Sequence, residues 1–583
     1  MRVSKLGGTI LIVLEFNHER NSIWLSLSVR RGRNIYALDL LDGKVPDNIV
    51  VDEVWYNLYI NNQDVQAVFD KAGVKALGAI TLGEYIKIKQ FSAAYPNVEI
   101  IDAATEALAE HPVKELEYAP PTMLNANLYP YQKQGYQWMR FIVDSQCGCI
   151  LGDEMGLGKT LQVIALITEQ KQSGRGPTLV IAPVSLLENW RREFSKFTTG
   201  LKICVHHGPK RTGLYTDLVG YDVVIISYNT ASSDQSLLKM IAWNLLVVDE
   251  AQNIKNPSAI RTKSIKRIPC HTAIAVTGTP FENHMSDLWS LMDFIAPGCF
   301  GKLSEFEAEF TDDLYGAKKL EPYLTPLMLR RRVKEVAQDL PERIDVPQAL
   351  IMTEAEVNAY ENQRESILES FDGKNATLPM LQKLRMYCTH PSLVDGNIYP
   401  DPIVCSGKYE RLIELLEEIV LLREKTILFT SYNRMFEILA EDIPKRFQIP
   451  VMAINGSTPT EERQPIIDRF SAVNGSALLV LNPRAAGAGL NITAASRVIH
   501  YNLEWNPSLE DQASARAYRR GQDKTVFIYR LFYKDTVEEI INERIEKKRS
   551  MFDAAIIGTD GSIDNSEDII RALMITPGGK NRE

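Results

Sequence analysis

The sequence predicts an α/β fold: two lobes, each a parallel sheet covered by helices, with helical insertions and a small α+β module in front. Three observations predict it. Short apolar runs alternate with helical stretches twice, once from Cys149 to Val276 and again from Thr426 to Tyr529. In the first set the chemically active residues all fall just after an apolar run, where ligands of parallel sheets sit. The chain has 583 residues, too many for one core, which fits three or four units as a soft prior.

The N-terminal module comes first. Thr9–Leu14 reads as a strand, and Ile23, Leu25, Leu27 and Val29 alternate with Trp24 and serines as a second, half-buried one. The turn chemistry of residues 17–21 between them predicts a hairpin. Asp64–Leu77 reads as a helix that Gly73 weakens. No residue pattern in residues 1–120 reveals what the module does. Residues 116–127 form a linker marked by Pro120 and Pro121.

Next comes a phosphate cradle. Cys149–Leu151 is a short apolar run, Gly152-Asp-Glu-Met-Gly-Leu-Gly-Lys159-Thr160 a glycine-containing loop, and Leu161–Ile167 the start of a helix. Gly156 and Gly158 let backbone approach an anion, and the helix start offers free N–H groups. Lys159 adds a point charge for the outer phosphates, and the Thr160 hydroxyl suits Mg2+. The strict P-loop wording has glycine where Asp153 stands, with Gly152 one place early. Upstream, Gln132 lies among aromatics; its amide can pair with an adenine edge, although taken alone it reads as a surface glutamine at a helix start.

The runs Thr178–Ala182, Val223–Ile226, Leu245–Val248 and Ala273–Val276 end at Pro183, Ser227, Asp249-Glu250 and Thr277-Gly-Thr279. Asp249 at a strand tip can hold Mg2+, and Glu250 can orient and deprotonate water. A buried acid pair without a cation would be costly. The second set comprises Thr426–Phe429, Val451–Ile454, Ala477–Val480, Arg497–His500 and Val526–Tyr529, with no P-loop of its own. It carries Gly487-Ala-Gly-Leu-Asn491 and, on a predicted helix, Arg516 and Arg519. That spacing suits two guanidiniums on one phosphate, or equally a salt-bridged surface.

Net charge is −9, so any nucleic-acid contact depends on local cations. Candidate clusters are Arg330–Arg332, Arg516 with Arg519 and Arg520, and Lys547–Arg549. The seven cysteines lack zinc spacing and read as reduced core thiols. No apolar run approaches a membrane span, and no signal peptide is evident, so a cytoplasmic location is expected.

These pieces, in this order, resemble the SWI/SNF-type branch of helicase superfamily 2. The matching stretches are Asp153–Thr160, Asp249–Gln252, Thr277–Asn283, Leu329–Arg331, Leu384–Pro391, Ser406–Lys408, Trp505–Pro507 and Gln512–Gln522. Gln252, Tyr518 and Arg520 depart from the commoner residues, and Ala486 and Ala488 sit in a loop often richer in glycine. The resemblance implies two RecA-like lobes with ATP at their interface and duplex DNA across both. It implies Lys159 and Thr160 on phosphate and Mg2+, Asp249 on the metal, and Glu250 on water. It places Gln132, residues 153–160 and Gln522 at the nucleotide. Arg516 and Arg519 become arginine fingers, while Thr277 and Thr279 link nucleotide state to closure. Backbone grip falls to Pro183–Leu186, Ser227-Tyr228, Thr430-Ser431 and Gly487–Asn491.

The expected domains are residues 1–120, accessory; 121–344, an ATP-binding lobe; 345–405, a helical insertion and connection; 406–535, a second lobe; and 536–583, a brace helix and tail. The brace would bury Val537, Ile540, Ile541 and Ile545. The expected function is a double-stranded-DNA-stimulated ATPase and translocase, with a strand-separating or RNA-directed helicase as alternative. The setting stays open among transcription-complex recycling, DNA repair and the motor of an anti-phage defence system such as Zorya, whose other subunits would then be partners.

Overall fold

Two all-parallel sheets organise the chain, and two smaller mixed sheets precede them. The computed structural model describes residues 2–577 apart from 4–6, 18–19, 21, 32, 52, 60, 93, 110–117, 210, 279–284, 312–313, 338–339, 370–376, 396–400, 487–489, 506 and 555–570. By contact the chain divides into two units: residues 1–153 with 158–331, and residues 154–157 with 332–583.

The first parallel sheet has seven strands. Their spatial order is Ile203–His206, Val223–Ser227, Thr178–Ala182, Trp243–Asp249, Cys270–Val276, Cys149–Leu151, Met328–Leu329. Thr178–Ala182, Val223–Ser227 and Cys149–Leu151 are buried throughout, as strands covered on both faces must be. The register sets Asp249 beside Val276, and Val276 beside Leu151. The metal-type carboxylate and the start of the phosphate loop therefore share one carboxyl edge.

The second sheet has six strands. Their order is Arg343–Leu350, Val526–Tyr533, Arg497–His500, Lys425–Phe429, Ala477–Leu481, Val451–Ile454. Arg343–Leu350 lies across the 344/345 boundary expected from sequence, and all eight of its residues pair with Val526–Tyr533. Its partly exposed pattern and Pro347 mark an edge strand, which carries neither an apolar run nor clean alternation. Ile203–His206 and Met328–Leu329, also outside the expected set, are sheet edges too short to leave a pattern.

In the N-terminal module Thr9–Asn17 and Ser22–Arg31 form the expected antiparallel hairpin. Glu99–Asp102 adds a parallel strand on one side and Asn34–Leu38 an antiparallel one on the other. The expected helix runs Asn62–Ala72 and stops at Gly73, whose φ of 82° ends it short of Leu77. Phe16 of the hairpin meets Phe141 of the helix Pro130–Asp144 with ring centroids 6.0 Å apart. The Lys89 ammonium lies over Tyr323 at 5.8 Å. The module is thus packed against Phe141 and Tyr323 rather than tethered.

In the other unit, Val537, Ile540, Ile541 and Ile545 of the helix Val537–Ala554 are buried with Tyr360, Leu384, Leu503 and Phe532. A buried ion pair adds to this: Lys408 Nζ lies 2.6 Å from Glu538 Oε1, with the Tyr501 and Tyr533 rings about the ammonium. All seven cysteines are free thiols. Among the described residues no helix is long and apolar enough to cross a membrane.

Candidate active site

The phosphate loop leads from the buried strand Cys149–Leu151 into the helix Lys159–Gln172. Gly158 stands at the helix N-cap with φ of 71° and no side-chain cap, so the first N–H groups remain available to an anion. A Cβ on Gly158 would meet Gln132 Nε2 at 2.5 Å. Glycine is therefore required twice, for the left-handed backbone and for Gln132. Gln132 is only 3% exposed, and its Oε1 accepts the Tyr129 N–H at 3.1 Å in a capping box. Its acceptor serves the helix start, while its donor end faces the loop. Lys159 Nζ donates to the Asp153 carbonyl at 2.7 Å, and Thr160 beside it is half-buried. Leu157 is fully buried and anchors the loop between the half-buried Met155 and Gly156 and the helix. Glu154 Oε2 accepts the Val333 N–H at 2.6 Å.

Asp153 is expected from sequence to join the nucleotide cradle; its carboxylate does not. It is fully buried and takes Arg331 Nε at 2.9 Å, Arg331 Nη2 at 2.5 Å and Gln162 Nε2 at 3.1 Å. Arg331 also donates to the Tyr131 carbonyl and, at 2.9 Å, to Gln162 Oε1. The pair joins the phosphate loop, its helix and the helix bearing Gln132. The same contacts remove Arg331 from the candidate nucleic-acid cluster Arg330–Arg332, because a buried guanidinium bonded to a carboxylate is a structural ion pair.

The acid pair ends the strand Trp243–Asp249. Asp249 Oδ2 accepts the Trp190 indole N–H at 2.8 Å, and Oδ1 accepts the Glu250 N–H at 2.9 Å. Burial, then the neighbouring Glu250 carboxylate, pushes Asp249 up to about 7, against the Trp190 hydrogen bond and Lys159. Glu250 has φ of 53°, a left-handed backbone uncommon for a residue with a Cβ. Its Oε2 accepts Gln252 Nε2 at 2.7 Å, and Gln252 Oε1 accepts the Thr277 hydroxyl at 2.9 Å. Gln252, where histidine is commoner, thus bridges Glu250 and the next strand tip. Thr279 lies outside the described residues.

In the other unit Arg516 and Arg519 are half-buried, but not on a helix. The helix Pro507–Ser514 gives way to turns, with the Arg516 N–H on the Ala513 carbonyl at 3.2 Å. The tighter three-residue bonds break the helical face on which the two arginines are expected. Arg519 Nη1 reaches the Leu490 carbonyl at 3.5 Å. Gln522, expected at the nucleotide, spends its Nε2 on the carbonyls of Thr493, Ala495 and Ala517 at 3.1, 2.8 and 3.2 Å. Thr493, Ala495 and Ala517 lie outside the strands, and the amide ties their carbonyls together. Residues 487–489 and the side chains of Lys547–Arg549 lie outside the described residues.

Sequence reasoning passed over Trp190 and Gln162. Trp190 shares a helical face with Leu187 and Phe194 and reads as core. Its position in the first turn of the helix that follows the strand-end Pro183 was the available signal.

Comparison with known proteins bears on this geometry. Residues 131–393 match the SNF2-related domain, and residues 407–521 match the helicase conserved C-terminal domain. YwqA of Bacillus subtilis, named as an ATP-dependent helicase/translocase, is 35% identical over 473 residues, covering 78% of this chain and 50% of that protein. The Zorya protein ZorD of Escherichia coli O139:H28 is 33% identical over 482 residues, covering 73% of this chain and 44% of ZorD. The SWI2/SNF2 ATPase core of Sulfolobus solfataricus, solved in complex with dsDNA, is 34% identical, covers 79% of this chain and 100% of that one, and has a TM-score of 0.40. The chain spans half or less of the length of these two curated relatives.

Proposed function

The chain belongs to the SNF2-related family, and from that premise we propose that it is a double-stranded-DNA-stimulated ATPase that translocates along duplex DNA and remodels DNA or protein–DNA complexes. The observation that carries this reading is the gathering of Lys159, Asp249 and Glu250 at the carboxyl edge of one parallel sheet, with Lys159 close enough to lower the Asp249 pKa.

The residues suit Mg-ATP. Asp249 is a half-buried carboxylate beside a second acid, an arrangement that a cation relieves. Thr160 and Asp249 would hold Mg2+, which when bound neutralises charge on the outer phosphates. Lys159, now on the Asp153 carbonyl, would exchange that acceptor for a phosphate oxygen. Glu250, held by Gln252, would orient the attacking water and take its proton. Arg516 and Arg519 are assigned as fingers on the strength of the family motif. The proposed backbone grip is by Pro183–Leu186, Ser227-Tyr228, Thr430-Ser431 and Gly487–Asn491; such contacts carry little sequence preference and weaken with salt. The similarity to ZorD supports partners among the subunits of a prokaryotic DNA-processing or defence system.

The test is ATP hydrolysis by the full chain with duplex DNA, single-stranded DNA or RNA, alongside displacement of a triplex-forming strand. The reading expects duplex DNA to stimulate most and the third strand to leave only with ATP. Preferential stimulation by RNA, or separation of duplex strands, would replace it with the alternative helicase reading.

A further inference from the structure

One loop proposed to grip DNA, Ser227-Tyr228, is bonded directly to the acid pair, and so is the helix that follows another, Pro183–Leu186. Ser227 caps the short helix Tyr228–Ser233 by accepting the Thr230 N–H on its hydroxyl at 3.1 Å. This fixes Tyr228 at the turn that leaves the strand Val223–Ser227. The Tyr228 side chain runs inward, and its hydroxyl donates to the Asp249 carbonyl at 2.5 Å, with the Glu250 carbonyl 3.0 Å away. These two carbonyls flank the left-handed backbone of Glu250. The exposed Arg261 guanidinium lies 5.7 Å from the outer face of the Tyr228 ring and donates to Asn229 Oδ1 at 3.3 Å. A cation open to a phosphate therefore sits on the ring whose hydroxyl holds the acid pair. From the neighbouring strand end, Pro183–Leu186 leads into the helix Leu187–Phe197, whose first turns carry Trp190 with its N–H on Asp249 Oδ2.

We infer that Tyr228 and Trp190 are positioning residues that transmit duplex binding at the two strand-end loops to the placement of Asp249 and Glu250. Neither side chain touches the reacting atoms; each acts through an acid it bonds. Moving the Ser227-Tyr228 turn moves the hydroxyl that fixes the Glu250 backbone, so a phosphate drawn toward Arg261 re-aims the water-activating carboxylate. Moving the Pro183–Leu186 loop moves the donor that holds one oxygen of Asp249. The relay residues all lie within the unit of residues 1–153 with 158–331, so the relay can act without any change in the other unit. It rests on the proposed DNA-stimulated ATPase.

The experiment uses the full chain with Tyr228→Phe and Trp190→Phe, a 30-base-pair duplex, and a non-hydrolysable Mg-ATP analogue. Two quantities are read: the ratio of duplex-stimulated to basal kcat, and the factor by which the analogue changes duplex affinity. The relay requires that loss of either side chain lower both; reciprocity itself links only the binding affinities of analogue and duplex. Loss of a hydrogen bond to a charged or strained group predicts a fall of about tenfold in the stimulation ratio, seen in kcat with KM for ATP moved less than about threefold. A merely structural defect lowers both rates together and leaves the ratio and the binding coupling intact, and that result would overturn the relay. Tyr228→Phe removes one oxygen and decides the matter alone should Trp190→Phe not fold. Absence of duplex stimulation in the unsubstituted chain would instead remove the underlying ATPase reading, and the relay with it.

Discussion

Asp153 and Arg331 show what a single residue can and cannot disclose. Asp153 occupies a glycine position of the strict phosphate-loop pattern, and its carboxylate is fully buried against a guanidinium 178 positions away. Arg331→Met leaves that carboxylate without its cation and should cost roughly 3–5 kcal/mol of stability. Urea denaturation followed by tryptophan fluorescence would show it, with Arg331→Met plus Asp153→Leu recovering much of the loss. The placement of Asp249 and Glu250 was legible because a strand tip fixes where a side chain emerges, and that of Lys159 because a glycine-bearing loop gives way there to a helix. The direction of the Asp153 carboxylate was not legible, because it depends on a partner that only the fold brings near. The same holds for Gln522, whose amide closes three local carbonyls, and for Trp190, whose apolar neighbours conceal a polar role.

At the scale of elements, apolar runs of four or more residues forecast the central strands of both sheets. Of the edge strands of these sheets Val451–Ile454 was forecast, and the others escaped because exposure or shortness hides their pattern: Arg343–Leu350 contains Pro347 and charged residues, yet pairs along its whole length. The arginine-bearing segment after Ser514 was expected as helix because its spacing is helical, whereas turn bonds end the helix at Ser514. The C-terminal helix was legible through Val537, Ile540, Ile541 and Ile545, but its ion pair was not. Lys408→Met leaves Glu538 buried and unpaired, a loss of about 3–5 kcal/mol, and should speed amide hydrogen exchange across residues 537–546 while the first parallel sheet keeps its protection. Equal exchange in the variant and the unsubstituted chain would show that the apolar face alone holds the helix.

For the whole molecule, the N-terminal module is the part whose purpose neither pattern nor geometry assigns, yet Phe16 and Lys89 pack it onto the rest of the unit that contains the first parallel sheet. Phe16→Ala should therefore lower the melting temperature of that unit as well as of the module. Arg516→Ala and Arg519→Ala address the other unit. If they are fingers, each lowers kcat, toward the roughly 10³–10⁵-fold that such arginines contribute in related NTPases, with little change in ATP affinity. The central claim is that Glu250, at the tip of a parallel strand beside the phosphate loop, activates the water that splits ATP. The most direct measurement is ATP binding and single-turnover hydrolysis by Glu250→Gln in the presence of duplex DNA. The account predicts ATP affinity near that of the unsubstituted chain and no detectable phosphate release. Phosphate release at the unsubstituted rate would contradict it.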